Sequence, residues 1–171
     1  MGLRPAHCYT KVERAYTRKS KYKNKAYVKA APISKIMKYE MGDIKKDFPV
    51  KVNLVSKQPI QIRHNALESA RVVVNRHLSE ALGNNFKLFL KLYPHHVLRE
   101  NKMLTGAGAD RMQSGMQHAF GRPVGLAARV KKGQVVFSAE VDSDGVDVAR
   151  NALAMAKPRL PGKFTIQVIS K

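Results

Sequence analysis

From residue 48 onward the apolar residues switch between a period of two and a period near 3.6, and they do so twice in the same order. Val50, Val52 and Leu54 alternate with Lys51 and Asn53, the pattern of a half-buried strand, and Gln58-Pro59 closes it. Leu67, Ala70, Val74, Leu78 and Ala81 then recur at helical spacing up to Gly83, with Asn65 and Glu68 spaced as a capping box at the start. Phe86, Leu88, Leu90 and Leu92 alternate again before Pro94. A second strand, helix and strand follow at 135–141, 144–157 and 164–169, with Asp144 placed to cap the helix, Asp147 in its first turn and Pro158 ending it. Two strand-helix-strand units bury their apolar stripes most simply with both helices on one face of a mixed or antiparallel sheet. The expected fold class is therefore α+β, a sheet/helix sandwich.

Two stretches fall outside this pattern. Residues 1–31 carry nine cations (Arg4, Lys11, Arg14, Arg18, Lys19, Lys21, Lys23, Lys25, Lys29), one acid (Glu13) and four tyrosines (Tyr9, Tyr16, Tyr22, Tyr27), with no apolar periodicity. Such a segment buries too little carbon to offset its ordering entropy, so it is expected to take a fixed shape only against a partner. Residues 99–125 hold five of the eleven glycines, namely Gly106, Gly108, Gly115, Gly121 and Gly125, a density that disfavours helix and strand and predicts a protruding loop. The expected organisation is an N-terminal arm over 1–31 and one domain over 32–171 with a flexible loop at 102–117.

Composition then decides the class of partner. Against 12 Asp and Glu stand 32 Lys and Arg, a formal net charge of +20 on 171 residues. That excess exceeds what solubility requires and calls for a polyanion. No apolar run approaches the roughly 20 residues of a membrane span. The start of the chain has no apolar core of a signal peptide, and the single Cys8 fits a reducing compartment. Among polyanions the interleaved tyrosines favour RNA: rings stack on bases and riboses while cations meet phosphates.

Catalytic patterns are weak. Gly106-Ala-Gly108-Ala lacks the third glycine of a dinucleotide loop, whose position is Arg111, and no Gly-Lys-Ser/Thr occurs. His95 and His96 are adjacent and point to opposite faces of a strand, while His7, His64, His77 and His118 are scattered, so neither a metal site nor a cofactor is expected. Glu140, Asp142, Asp144 and Asp147 are the only acidic cluster, read as helix-terminal residues facing away from RNA. An enzyme acting on RNA or phosphate esters through these acids is the rival reading, and a non-ribosomal RNA chaperone is a third.

The run Tyr93-Pro-His-His-Val-Leu-Arg-Glu-Asn-Lys-Met-Leu-Thr-Gly-Ala-Gly-Ala-Asp-Arg-Met-Gln-Ser-Gly-Met-Gln-His-Ala-Phe-Gly-Arg-Pro-Val-Gly-Leu-Ala-Ala-Arg-Val130 resembles the large-subunit ribosomal proteins called L-ten-e in archaea and eukaryotes, counterparts of bacterial L-sixteen. Arg4-Pro-Ala-His-Cys-Tyr9 and Arg63-His-Asn-Ala-Leu-Glu-Ser-Ala-Arg71 are similar too, so the resemblance covers nearly the whole chain. Thr105 and Gly106 depart from the Ser and Cys of eukaryotic members, and the long eukaryotic tail is missing after Ile169, which favours an archaeal source. The resemblance implies an α/β hammerhead-like fold that is not an enzyme and not an independent homo-oligomer. Its implied partners are large-subunit rRNA, tRNA and neighbouring ribosomal proteins, at a place below the central protuberance beside the aminoacyl-tRNA site. It also implies a late role in subunit assembly. Together these readings give an RNA-binding set of Arg4, His7, Tyr9, Lys11, Arg14, Arg18, Lys19, Lys21, Lys23, Lys25, Arg63, His64, Arg71, Arg99, Arg122 and Arg129. The resemblance further implies a tRNA-proximal loop with Lys102, Met103, Gly106, Gly108, Arg111, Gln113, Gly115 and Gln117.

Overall fold

Leu67, Ala70, Val74 and Leu78 lie on one completely buried stripe of helix α1, His64–Leu82. The helix ends where Gly83 turns to φ 61° and donates its N–H to Ser79 O at 3.1 Å. The computed structural model describes residues 3–12, 22–26, 28 and 30–170. The shorter helix α3, Val146–Ala156, buries Ala149, Ala152, Leu153 and Ala156. Its alanines allow close approach, and α1 and α3 pack against each other.

Eight strands lie among the described residues: β1 Glu40–Gly42, β2 Val50–Ser56, β3 Ile60–Arg63, β4 Phe86–Leu90, β5 His96–Glu100, β6 Arg122–Val130, β7 Val135–Val141 and β8 Phe164–Ser170. They form a five-stranded sheet in the order β1-β4-β7-β2-β8 and a three-stranded sheet in the order β3-β6-β5, with every pairing antiparallel. Val52 faces Ala139 on one neighbour and Val168 on the other, which fixes β2 and β7 at the centre of the larger sheet. Helix α1 touches β4, β3 and β6, and α3 touches β2, β7 and β8. One apolar cluster joins Leu54, Ile62, Leu88, Phe137 and Leu153 across helices and both sheets. Each such side chain, once buried, contributes roughly 1.5–3 kcal/mol.

The structure corrects the sequence reading in several places. Two sheets replace one, because 60–63, 96–100 and 122–130 pair as a second sheet. Residues 99–125 therefore include strand ends, and the loop between β5 and β6 is 101–121, interrupted by a short helix α2, Ala109–Met112. The capping box does not form: Asn65 Oδ1 accepts from the Ala66 N–H at 3.0 Å, and Glu68 turns to Arg71 and to the Met37 N–H. Nor does Asp144 cap α3, whose N-cap is Gly145; Asp144 lies in the preceding 3-10 turn Ser143–Gly145. Asp147 does occupy the first turn of α3.

Candidate nucleic-acid interface

The three-stranded sheet carries most of the described candidate residues. Its β5–β6 hairpin opens after the pair Glu100↔Arg122 into the loop 101–121. The root of this loop is tight, since a Cβ on Gly121 would lie 2.5 Å from the Glu100 carbonyl carbon and 2.8 Å from the Asn101 nitrogen. Only a residue without a side chain lets the two chains pass there. Beyond the root none of the residues is buried. Within the loop Gln113 receives the Leu104 N–H at 2.8 Å and donates to Leu104 O at 3.2 Å, tying its two limbs together. Gly106, Gly108 and Gly115 have positive φ of 130°, 78° and 58°, turns that side chains resist. Lys102, Met103 and Arg111 project along this exposed excursion, with Gln117 in the turn that follows.

Residues 3–12 lie against strand β3. Ala6–Tyr9 forms a 3-10 turn, Tyr9 O accepts from Gln61 Nε2 at 2.8 Å, and Thr10 O accepts from the Gln61 N–H at 3.0 Å. Arg63 Nη1 donates to Arg4 O at 2.9 Å, and its guanidinium carbon lies 5.3 Å from the centre of the Tyr9 ring. Further on, Val28 is buried with Val97 and Leu126. The apolar content and the side-chain amide of Gln61 supply what the arm lacks by itself.

Glu100 is the hub of this attachment. Its carboxylate accepts the Tyr9 hydroxyl, and Arg4 Nε at 3.5 Å and Lys102 Nζ at 3.7 Å pair with it. Burial, followed by the Glu100 hydrogen bond and charge, raises the Tyr9 pKa well above that of an ordinary phenol. Glu100→Ala therefore releases residues 3–12. Their amide hydrogen-exchange protection should fall about tenfold, the scale of one charged hydrogen bond. Protection unchanged from wild type would contradict the assignment of Glu100 as the anchor.

The remaining candidates divide by environment. Lys11, His7 and Arg122 are exposed. Lys23 and Lys25 lie in a 3-10 turn, with Lys25 Nζ 5.3 Å from the Tyr22 ring centre. Arg99 lies 3.8 Å from the centre of the exposed Phe120 ring at the loop root, and Arg129 is exposed on β6. Arg14, Arg18, Lys19 and Lys21 lie outside the described residues, as do Tyr16, Tyr27 and Lys29. Arg71 stands apart, for it is buried and its guanidinium is committed to Glu68 at 2.8 and 2.5 Å. That pairing lies within α1, inside the fold. The i,i+3 spacing of Glu68 and Arg71 was the available sequence signal.

His64 is buried and receives the Lys35 N–H on Nδ1 at 3.3 Å. Burial first, then the charges of Lys35 and Arg63, hold its pKa below the ordinary histidine value. His96 is lowered likewise, by burial and then by Arg129 and Arg99. In each case protonation costs the folded state more than the unfolded one, so the unfolded chain binds more protons as pH falls past about 6.5. Stability is full above that pH and declines as pH drops towards the lowered folded values. Urea unfolding at pH 7.5 and 5.5 should show a lower midpoint at 5.5, with a smaller difference in a His64→Gln/His96→Gln variant; equal wild-type midpoints would contradict this.

Three of the four acids of the 140–147 cluster are paired with cations. Glu140 meets Lys51 at 3.2 Å, Asp142 meets Lys46 at 2.9 Å and Asp147 meets Arg150 at 3.6 Å. Among the described residues no group of three His, Cys, Asp or Glu side chains is placed to hold a metal. No helix there is long and apolar enough to cross a membrane.

Comparison with known proteins agrees with this picture of a basic, loop-bearing scaffold. Residues 13–167 match the family described as ribosomal protein L16p/L10e. Three similar relatives each bear the name large ribosomal subunit protein uL16. The one from Archaeoglobus fulgidus is 45% identical over 169 residues, covering 98% of this chain and 94% of the relative. That of Staphylothermus marinus is 47% identical over 163 residues, covering 94% and 90%. That of Methanococcus maripaludis is 47% identical over 170 residues, covering 98% and 95%. The chain belongs to the ribosomal protein L16p/L10e family, a family of ribosomal structural proteins and not of enzymes.

Proposed function

We propose that this protein is a structural constituent of the cytoplasmic large ribosomal subunit that binds large-subunit rRNA below the central protuberance, beside the aminoacyl-tRNA site. The 101–121 loop reaches from there towards tRNA and the peptidyl-transferase centre. Partners are rRNA, tRNA and neighbouring ribosomal proteins, and the protein acts in translation and in late subunit assembly. The carrying observation is the loop itself: closed at a glycine root, braced by Gln113 and without a buried residue, it is built to extend away from the core.

The organisation that goes with this reading is a basic arm over 1–31 and a single rRNA-binding domain over 32–171, a hammerhead-like sandwich of sheet and helix with the loop tip at 102–117. Cations around β3, β5 and β6 meet phosphates, and each neutralised phosphate adds roughly 0.7–0.9 to the slope of log affinity against log salt. Recognition is by shape and 2′-hydroxyl contact more than by base sequence. Ultraviolet cross-linking of intact subunits tests the placement. Cross-links from Arg63, Arg122 and Arg129 to rRNA, and from the loop tip to bound tRNA, are expected. Cross-links from the loop tip to surface rRNA remote from tRNA would overturn it.

A further inference from the structure

The groove between the end of β4 and strand β6 takes no part in the attachments described above. It encloses about 640 Å³, within the range of sites that hold a small organic ligand. Tyr93, His95, His96, Lys91, Arg129 and Gln134 line it. No aspartate or glutamate is among the lining residues, and Leu92 and Ala128 supply its apolar part. Tyr39 stacks on Tyr93 with ring centres 5.5 Å apart and planes 23° from parallel, and the His95 ring lies 4.5 Å from Tyr93 with its plane tilted by 47°. This group of rings is open to solvent, since His95 is exposed and Tyr93 keeps 53% of its surface in solvent.

The exposed ring surface of Tyr93, backed by Tyr39 and flanked by the tilted His95, forms a platform for one more flat ring. The polar groups nearby suit a nucleotide. Lys91 Nζ is steadied 4.2 Å from the Phe89 ring centre, and Arg129 supplies a second cation from β6. The Gln134 side-chain oxygen accepts the Lys131 N–H at 2.9 Å, which leaves the amide NH2 as its donor end. His96, favoured in its neutral form, offers both a donor and an acceptor. A protein segment able to fill the same space would need acidic or carbonyl groups to meet Lys91 and Arg129, and it would gain less from the stacked rings than a base does.

We propose that this groove receives one unstacked nucleotide of the bound RNA, its base packed on the exposed rings of Tyr93 and His95 and its phosphate held by Lys91 and Arg129. The inference rests on the reading of the protein as an rRNA-binding component of the large subunit. Base stacking on aromatic side chains is strong and tolerant of sequence, so the platform selects an extruded nucleotide and not a particular base.

Large subunits depleted of the protein and reloaded with purified full-length chain provide the test. The rRNA is probed with reagents that together modify the pairing edges of all four bases. With wild-type protein one unpaired nucleotide is protected. With Tyr93→Leu/His95→Ala its reactivity rises about fivefold or more at unchanged protein occupancy. His95→Ala alone, removing only the tilted ring and leaving the stacked tyrosines, produces a smaller rise at the same nucleotide. Unchanged reactivity everywhere, at full occupancy, would overturn the proposal. So would cross-linking of the groove to a neighbouring protein in place of RNA. Failure of the wild-type chain to reload would instead bring down the underlying rRNA-binding reading, and this inference with it.

Discussion

Replacing Glu68 with alanine lowers the stability of the fold by about 3 kcal/mol, because it leaves a buried guanidinium without its counter-charge. The Arg71 side chain is 10% exposed, and Glu68 holds it through two contacts of 2.8 and 2.5 Å. The same carboxylate receives the Met37 N–H at 3.3 Å, while Arg71 Nη1 reaches Met41 sulfur at 3.1 Å. The pair therefore fastens α1 to the segment that enters β1. The Arg71 hydrogen bond, the largest cause, holds the Glu68 pKa below the usual carboxylate value. Its contribution is full above about pH 4.3 and is lost as pH falls through the lowered folded value. Urea unfolding at pH 7 reads the effect as a reduced midpoint. Glu68→Ala/Arg71→Met should regain much of the loss, since it removes the stranded charge while keeping an apolar chain in place. A wild-type midpoint for Glu68→Ala alone would contradict the buried-pair account.

Excising 102–117 and joining the ends through two glycines leaves the fold intact and disables translation. No residue of this segment is buried, and Gln113 and Leu104 bond each other within the loop. The flanking strands are already paired at Glu100↔Arg122, so a short link closes the gap without strain. Thermal unfolding and subunit association should match wild type. Peptide synthesis by subunits carrying the shortened chain should fall on the order of tenfold, equivalent to about 1.4 kcal/mol of lost contact. Loss of the folded core would show that the loop is structural, and full activity would show that it does not serve tRNA.

The sequence made some elements plain and concealed others for physical reasons. Helices α1 and α3 and strands β2, β4, β7 and β8 have one apolar face or lie next to one, so periodicity reveals them. Strand β6 conceals itself because residues 125–128 are buried consecutively, and Pro123 and Gly125 read as loop signals. Strand β3 is only 4 residues long, and β5 buries Val97 and Leu98 consecutively and so shows no alternation. The second sheet was thus invisible until pairing was seen. Glu100 escaped notice because its partner Tyr9 lies 91 positions away, and no local spacing reports such a contact. The groove likewise joins residues from 91–96 with others from 128–134 through the β5–β6 register. Charge, by contrast, is additive, and the +20 excess needs no structure to be read.

That excess, placed on a loop-bearing scaffold of the L16p/L10e family, leads to the central claim that the protein works as part of the large ribosomal subunit. Sedimentation of a native lysate at low salt, followed by detection of the protein across the gradient, tests it most directly. The account predicts that the protein co-migrates with the large subunit and leaves it as salt is raised. Protein found at the top of the gradient in low salt, with intact large subunits below, would contradict it.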